Sequence, residues 1–95
     1  MRVTLRLMSI LAVQAKLKPG EALDFELPAG VTLADLLVAM DERIGDRLPS
    51  QTWNREIHQF SYQVLFLVDN LQTRDLSTPL QDGSTVMAMV PIAGG

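Results

Sequence analysis

The sequence predicts a small α+β roll: a mixed sheet of four to five strands with one main helix packed on one face. Three observations carry this reading. Apolar residues alternate at period two near the start of the chain, they recur at helical spacing once, in the middle, and two further apolar runs follow, bounded by turn signals. A single amphipathic helix can cover only one face of a sheet, so the other face must meet solvent or a partner.

Val3, Leu5 and Leu7 alternate with Arg2, Thr4 and Arg6, the pattern of a half-buried strand. Lys18-Pro19-Gly20-Glu21 is a turn signal, after which Leu23, Phe25 and Leu27 alternate with Asp24 and Glu26 until Pro28-Ala29-Gly30. The two segments read as a β-hairpin, although Ile10 to Lys16 between them has no legible form. Thr32 and Asp35 make a capping-box pair, and Leu33, Leu36, Leu37, Met40 and Ile44 form one apolar stripe of a helix over 33–44. Gly45 stands where a C′ glycine belongs.

Asp46 to Tyr62 is polar and mixed, and reads as a long connection with at most a short helical turn. Val64 to Val68 is an unbroken apolar run, short enough for a strand buried on both faces. Asp69-Asn70 gives a turn, Leu71 to Thr73 a short edge strand, and Leu80-Gln81-Asp82-Gly83 another turn before a last strand over Thr85 to Val90.

Composition narrows the function classes. The chain has 95 residues, a net charge of −3 and no cysteine, which excludes a Cys nucleophile, a thiolate metal site and a disulfide framework. Its cations are scattered, against a nucleic-acid module. The apolar run Met8 to Val13 is too short to span a bilayer and the charged start is unlike a signal peptide, so a cytoplasmic protein is expected. His58 stands without thiol or acidic companions in sequence and reads as a surface or packing residue, Asp41-Glu42 reads as a solvated helix face, and no serine has an evident His–Asp arrangement. No metal site and no independent active site are expected.

The sequence ends on Gly94-Gly95, an ending that chance would give in roughly 0.5% of chains, glycine being about 7% of residues. The block before it, Leu80-Gln81-Asp82-Gly83-Ser84-Thr85-Val86-Met87-Ala88-Met89-Val90-Pro91-Ile92-Ala93-Gly94-Gly95, resembles the C-terminal signature of ubiquitin-like sulfur carriers. These include the small subunit of molybdopterin synthase and the thiamine-biosynthesis carrier. Ser84 departs from the usual aspartate, Val90 from a frequent first proline, and Met89 from a frequent aromatic. The family's fold is the β-grasp (ubiquitin-like) roll, with the element order read above. Thr32-Leu33-Ala34-Asp35-Leu36-Leu37 and Phe66-Leu67-Val68-Asp69-Asn70 are similar to its helix start and third strand.

The resemblance implies one domain over 1–95 with a flexible tail over 91–95. It also implies a chemistry: the Gly95 carboxylate is adenylated by an ATP-dependent E1-like enzyme, then takes sulfur from a persulfide donor to become a thiocarboxylate, a C-terminal 1-thioglycine. No cofactor is bound, and ATP is used by the partner. The sulfur would serve biosynthesis on an acceptor such as a molybdopterin synthase large subunit. Carriers for thiamine or cysteine biosynthesis are alternatives, as is a ubiquitin-like modifier that forms isopeptide bonds. Ile57-His58-Gln59-Phe60 loosely resembles a segment of the cysteine branch.

The tail composition suits a narrow channel: Pro91 stiffens its base, Ile92 follows, and Ala93, Gly94 and Gly95 add little bulk. Five residues reach about 17 Å when extended. If Val86, Ala88 and Val90 face one side, Met87 and Met89 face the other, beside Leu65 or Leu67, and the set the helix leaves uncovered is a candidate partner surface of the adaptable, Met-rich kind. The competing reading folds residues 46–62 over that surface.

Overall fold

The computed structural model describes residues 1–91. The strand β1 (Arg2–Leu7) is followed by a short helix α1 (Ser9–Gln14), β2 (Ala22–Glu26), the main helix α2 (Leu33–Ile44) and a 3-10 turn over Gly45–Arg47. Then come β3 (Trp53–Asn54), β4 (Gln59–Phe60), β5 (Leu65–Val68), β6 (Leu71–Thr73) and β7 (Thr85–Met89). The main sheet has five strands in the order β2-β1-β7-β5-β6, while β3 and β4 pair separately.

At its centre β1 and β7 run parallel, with Leu5 beside Val86 and Leu7 beside Ala88. Every other pairing is antiparallel. The opening hairpin forms as its alternation predicts: Val3 lies opposite Phe25 and Leu5 opposite Leu23, all buried. The β5–β6 connection is a two-residue loop in which Asp69 and Asn70 both hold positive φ, as a type I′ turn requires.

Helix α2 begins at the predicted capping box. The Thr32 backbone N–H donates to Asp35 Oδ2 at 2.8 Å, and the Thr32 side chain takes the reciprocal bond. Its buried stripe of Leu33, Leu36, Leu37, Met40 and Ile44 joins Val3, Leu5, Leu7, Phe25, Phe66, Val86 and Ala88 in one core. The unread segment Ile10–Lys16 is largely α1, which buries Leu11 and Ala12. It is six residues long and has no side-chain cap, so it carries neither a full period nor a start signal.

Gly45 is not a left-handed C′ glycine. It lies at φ −59°, ψ −31°, and the chain continues directly into the 3-10 turn. Its reason is steric: a Cβ here would stand 2.8 Å from the Asp41 carboxyl carbon and 3.2 Å from Arg55 Nε. The 46–62 segment is likewise more than a connection. It forms the β3–β4 hairpin, which buries Trp53 and sets it edge-on to Phe60, with ring centroids 4.8 Å apart. Phe60 in turn meets Phe66 on the helix-covered face of the sheet.

Gly45→Ala should therefore cost about 1–3 kcal/mol, the range for forcing a group into a packed site. Urea unfolding followed by Trp53 fluorescence reads this loss, and an unchanged midpoint would show that Asp41 can move aside freely.

Candidate functional site

The site predicted from sequence centres on β7 and the residues after it. Alternation puts Val86 and Ala88 in the core and leaves Met87 and Met89 half-buried on the opposite face. The antiparallel register with β5 sets Met89 beside Leu65 and Met87 beside Leu67. These four predicted residues therefore do come together. The expectation that Val64–Val68 is buried on both faces is corrected: the strand is Leu65–Val68, with Phe66 and Val68 inward and Leu65 and Leu67 half-exposed. One helix leaves the second face of this strand uncovered.

Residues 46–62 do not fold over that face. Phe60 packs against both Trp53 and Phe66, and Thr52 Oγ1 donates to Gln14 Oε1 of α1 at 2.8 Å, all on the helix side of the sheet. Sequence reasoning missed one neighbour, Met8. It is extended (φ −109°, ψ 156°), half-buried and one residue past β1, and its N–H donates to Ala88 O at 3.0 Å. Continuing the β1–β7 register sets Met8 beside Met89 on the open face. The alternation Arg6-Leu7-Met8 contains that signal, but it breaks off after Met8, where α1 begins.

The open face is divided. On its β1–β2 half Arg2 pairs with Glu26 at 3.5 Å, and the Thr4 hydroxyl donates to Asp24 Oδ1 at 2.7 Å. On its β5–β7 half Leu65, Leu67, Met87 and Met89 stand together, with Thr85 at the start of β7. The apolar half lies where β7 leaves the sheet through Val90 and Pro91, both half-buried. The predicted site residues Ile92, Ala93, Gly94 and Gly95 lie outside the described residues.

The strongest electrostatics lie elsewhere. Asp41, expected on a solvated face, is buried, and Oδ1 accepts from Trp53 Nε1 at 2.7 Å and Arg55 Nε at 2.9 Å. His58, read as lacking an acidic companion, has Nε2 at 3.8 Å from Asp41 Oδ2. The Arg55 hydrogen bond holds the Asp41 carboxyl below the usual aspartate range, with help from Trp53 and against the opposing effect of burial. Arg55 is correspondingly pushed up by Asp41. This cluster fastens the β3–β4 hairpin to α2, and the open depression beside it is lined by Gly45, Leu48, Trp53 and Arg55. A second depressed carboxyl, Asp75, is held down by its Ser77 hydrogen bonds. Among the described residues no group of three or more His, Cys, Asp or Glu side chains could hold a metal ion, and no helix is long and apolar enough to cross a membrane.

Two features now define the class of protein: a central parallel β1–β7 pair and one principal helix on one face of a mixed sheet. The fold is the β-grasp, ubiquitin-like fold. Small archaeal modifier protein 1 from Haloferax volcanii is similar to this chain with a TM-score of 0.78 and 17% identity, covering 100% of both chains. A protein from Pyrococcus furiosus assigned as molybdopterin converting factor, subunit 1, is similar with a TM-score of 0.68 and 16% identity, over 97% of this chain and 99% of that one. Small archaeal modifier protein 1 from Methanosarcina acetivorans gives 0.67 and 18%, over 99% and 96%. No protein-family model and no curated protein matches the sequence. At these identities the likeness establishes the fold.

Asp41 makes stability depend on pH with a defined sign. A carboxyl held lower in the folded state than in the unfolded chain contributes its full stabilisation above the ordinary value of about 3.9. That contribution is lost as the pH falls through the folded value. Asp41→Asn should lose about 1–3 kcal/mol at neutral pH and show a shallower fall in stability below about pH 4 than the native chain. Urea midpoints across that range decide the point; parallel curves would remove Asp41 from the account.

Proposed function

We propose that this chain is a sulfur carrier whose working group is the Gly95 carboxylate. An E1-like enzyme lets a carboxylate oxygen attack the α-phosphate of ATP, releasing pyrophosphate and leaving an acyl-adenylate. The terminal sulfur of a persulfide then attacks the acyl carbon and AMP departs. A second thiol cleaves the acyl disulfide, leaving the thiocarboxylate on Gly95. Activation is required because a carboxylate is a poor electrophile. The chain has no cysteine to supply sulfur and no Gly-x-x-x-x-Gly-Lys loop to cradle phosphate.

The observation that carries this reading is the joining of two features in one strand. β7 lies at the centre of the sheet, flanks an uncovered apolar patch, and leads into Pro91-Ile92-Ala93-Gly94-Gly95. Ordering a tail costs about 1–2 kcal/mol per residue, so a partner must gain affinity elsewhere. Leu65, Leu67, Met87 and Met89 supply that surface at the end of β7, and Met side chains adapt to more than one partner. The activating enzyme, the persulfide donor and an acceptor such as a molybdopterin synthase large subunit would use it in turn, in the cytoplasm. Thiamine and cysteine biosynthesis remain alternative destinations for the sulfur.

A second reading has specific support. Three of the similar structures are named small archaeal modifier protein 1. In that role a lysine amine of a target attacks the same adenylate, AMP leaves and an isopeptide bond forms.

Incubation with ATP, an E1-like enzyme and a persulfide donor should add the mass of one sulfur for one oxygen, confined to the C-terminal peptide. Deleting Gly94-Gly95 should abolish the gain without changing the urea midpoint. Lysine-linked adducts in place of the sulfur gain would favour the modifier reading. Met87→Glu should raise the KM for the carrier at least about tenfold, the loss expected for a charge buried in an apolar contact, and leave kcat unchanged. An unchanged KM would take the patch out of the proposal.

A further inference from the structure

Part of the charge of the chain is divided between the two ends of the β1–β7 pair. At the end where both strands finish, the Arg6 guanidinium donates to Gly20 O at 2.6 Å, and Gly20 N–H donates to Leu7 O at 3.0 Å. This folds the Lys16–Gly20 loop against the end of β1 and brings exposed Lys16 and Lys18 with it. Arg47, at the end of the 3-10 turn after α2, joins the base of the same loop, its guanidinium donating to Ala15 O at 3.4 Å. Four of the eight cationic side chains in the sequence thus gather where the tail leaves the sheet, against Glu21 and Asp46 at that end.

The opposite end is acidic. Asp82 accepts from the Arg2 N–H at 2.8 Å, Asp69 accepts from the Thr85 N–H at 2.9 Å, and Glu26 pairs with exposed Arg2. A chain with net charge −3 therefore presents a positive collar at the end of the sheet where β7 finishes, next to its Met patch.

We infer that the surface receiving the tail belongs to a protein whose apolar groove is edged by carboxylates, and that the collar of Arg6, Lys16, Lys18 and Arg47 recognises those carboxylates. Charge complementarity selects this occupant. Arg6 stands opposite Met87 in the sheet register, so a partner covering Met87 also covers an arginine. A track for a polyphosphate chain needs cations side by side, whereas the cross-strand neighbours of Arg6 are Met87 and Ala22 and its guanidinium is tied to the Gly20 carbonyl. Opposed charges at a rim act chiefly on the association rate and fade with salt. The tail's destination follows the carrier reading above, but the charge map stands without it, and the test uses no activating enzyme.

The test is titration of the full, 15N-labelled chain with a synthetic peptide of alternating Glu and Leu, in low and in high salt. The amides of Arg6, Met8, Lys16 to Gly20 and Met87 to Met89 should shift together. Affinity should fall at least about tenfold in Lys16→Glu/Lys18→Glu and by a similar factor on raising the salt. Glu26→Gln, at the acidic end, should bind as the native chain does, and a one-dimensional spectrum of each variant verifies its fold. Shifts at the acidic end, equal affinity in the reversed variant, or equal competition by oligo-dT would overturn the inference. So would concentration-dependent self-association that the reversal abolishes, since the acidic end of a second copy would then be the occupant. If the peptide binds as described but Gly95 is never activated, the carrier reading fails and the collar survives.

Discussion

The parallel pairing of β1 with β7 is the constraint on which the remaining architecture rests. It joins the first strand of the chain to the last at the centre of the sheet, and it fixes which side chains of each strand face the helix. Parallel pairs need a crossover rather than a tight turn, and α2 fills that role while covering one face. Period-two alternation then does the rest. Once Val86 and Ala88 are inward, Met87 and Met89 are outward, and a slip of one residue would exchange the two sets. The core and the apolar patch are two sides of one register.

The second face remains open because everything else goes to the first. The β3–β4 hairpin could have covered the methionines, but Asp41 draws it to α2. One buried carboxylate accepts from the Trp53 indole and from Arg55, and has His58 close by. Taking a charge into a protein interior is costly unless hydrogen bonds offset it, and these donors offset it. Gly45 completes the arrangement by leaving room for the carboxylate. Ser84 plays a comparable part at the base of β7, where its hydroxyl donates to Asp69 Oδ2 at 2.8 Å and accepts from the Gln81 N–H at 3.0 Å.

Much of this was legible in the sequence where the signal is local. The alternation of β1 and β2, the Thr32–Asp35 capping box and the Asp69-Asn70 turn each name their element within a few residues. The neighbours of Met87 and Met89 followed from strand parity and the presence of a single main helix. What stayed hidden depends on distant partners. Asp41 looks like any helix-surface acid until the hairpin brings Trp53 and Arg55 onto it. Gly45 has the position of a C′ glycine but the reason of a close approach. Leu65 and Leu67 belong to an unbroken apolar run, and composition cannot tell a strand buried on both faces from one with a face left half-exposed. Met8 was lost at the junction with α1, a helix too short to show its period.

The measurement that tests the account most directly uses the five methionines as reporters. The full chain, labelled with 13C at the Met methyl groups, is titrated with an E1-like activating enzyme, the partner proposed above. The account predicts that the methyl signals of Met8, Met87 and Met89 shift or broaden together while buried Met40 stays in place. Binding that leaves Met87 and Met89 unmoved would contradict it, because the partner would then be holding the chain by some other surface.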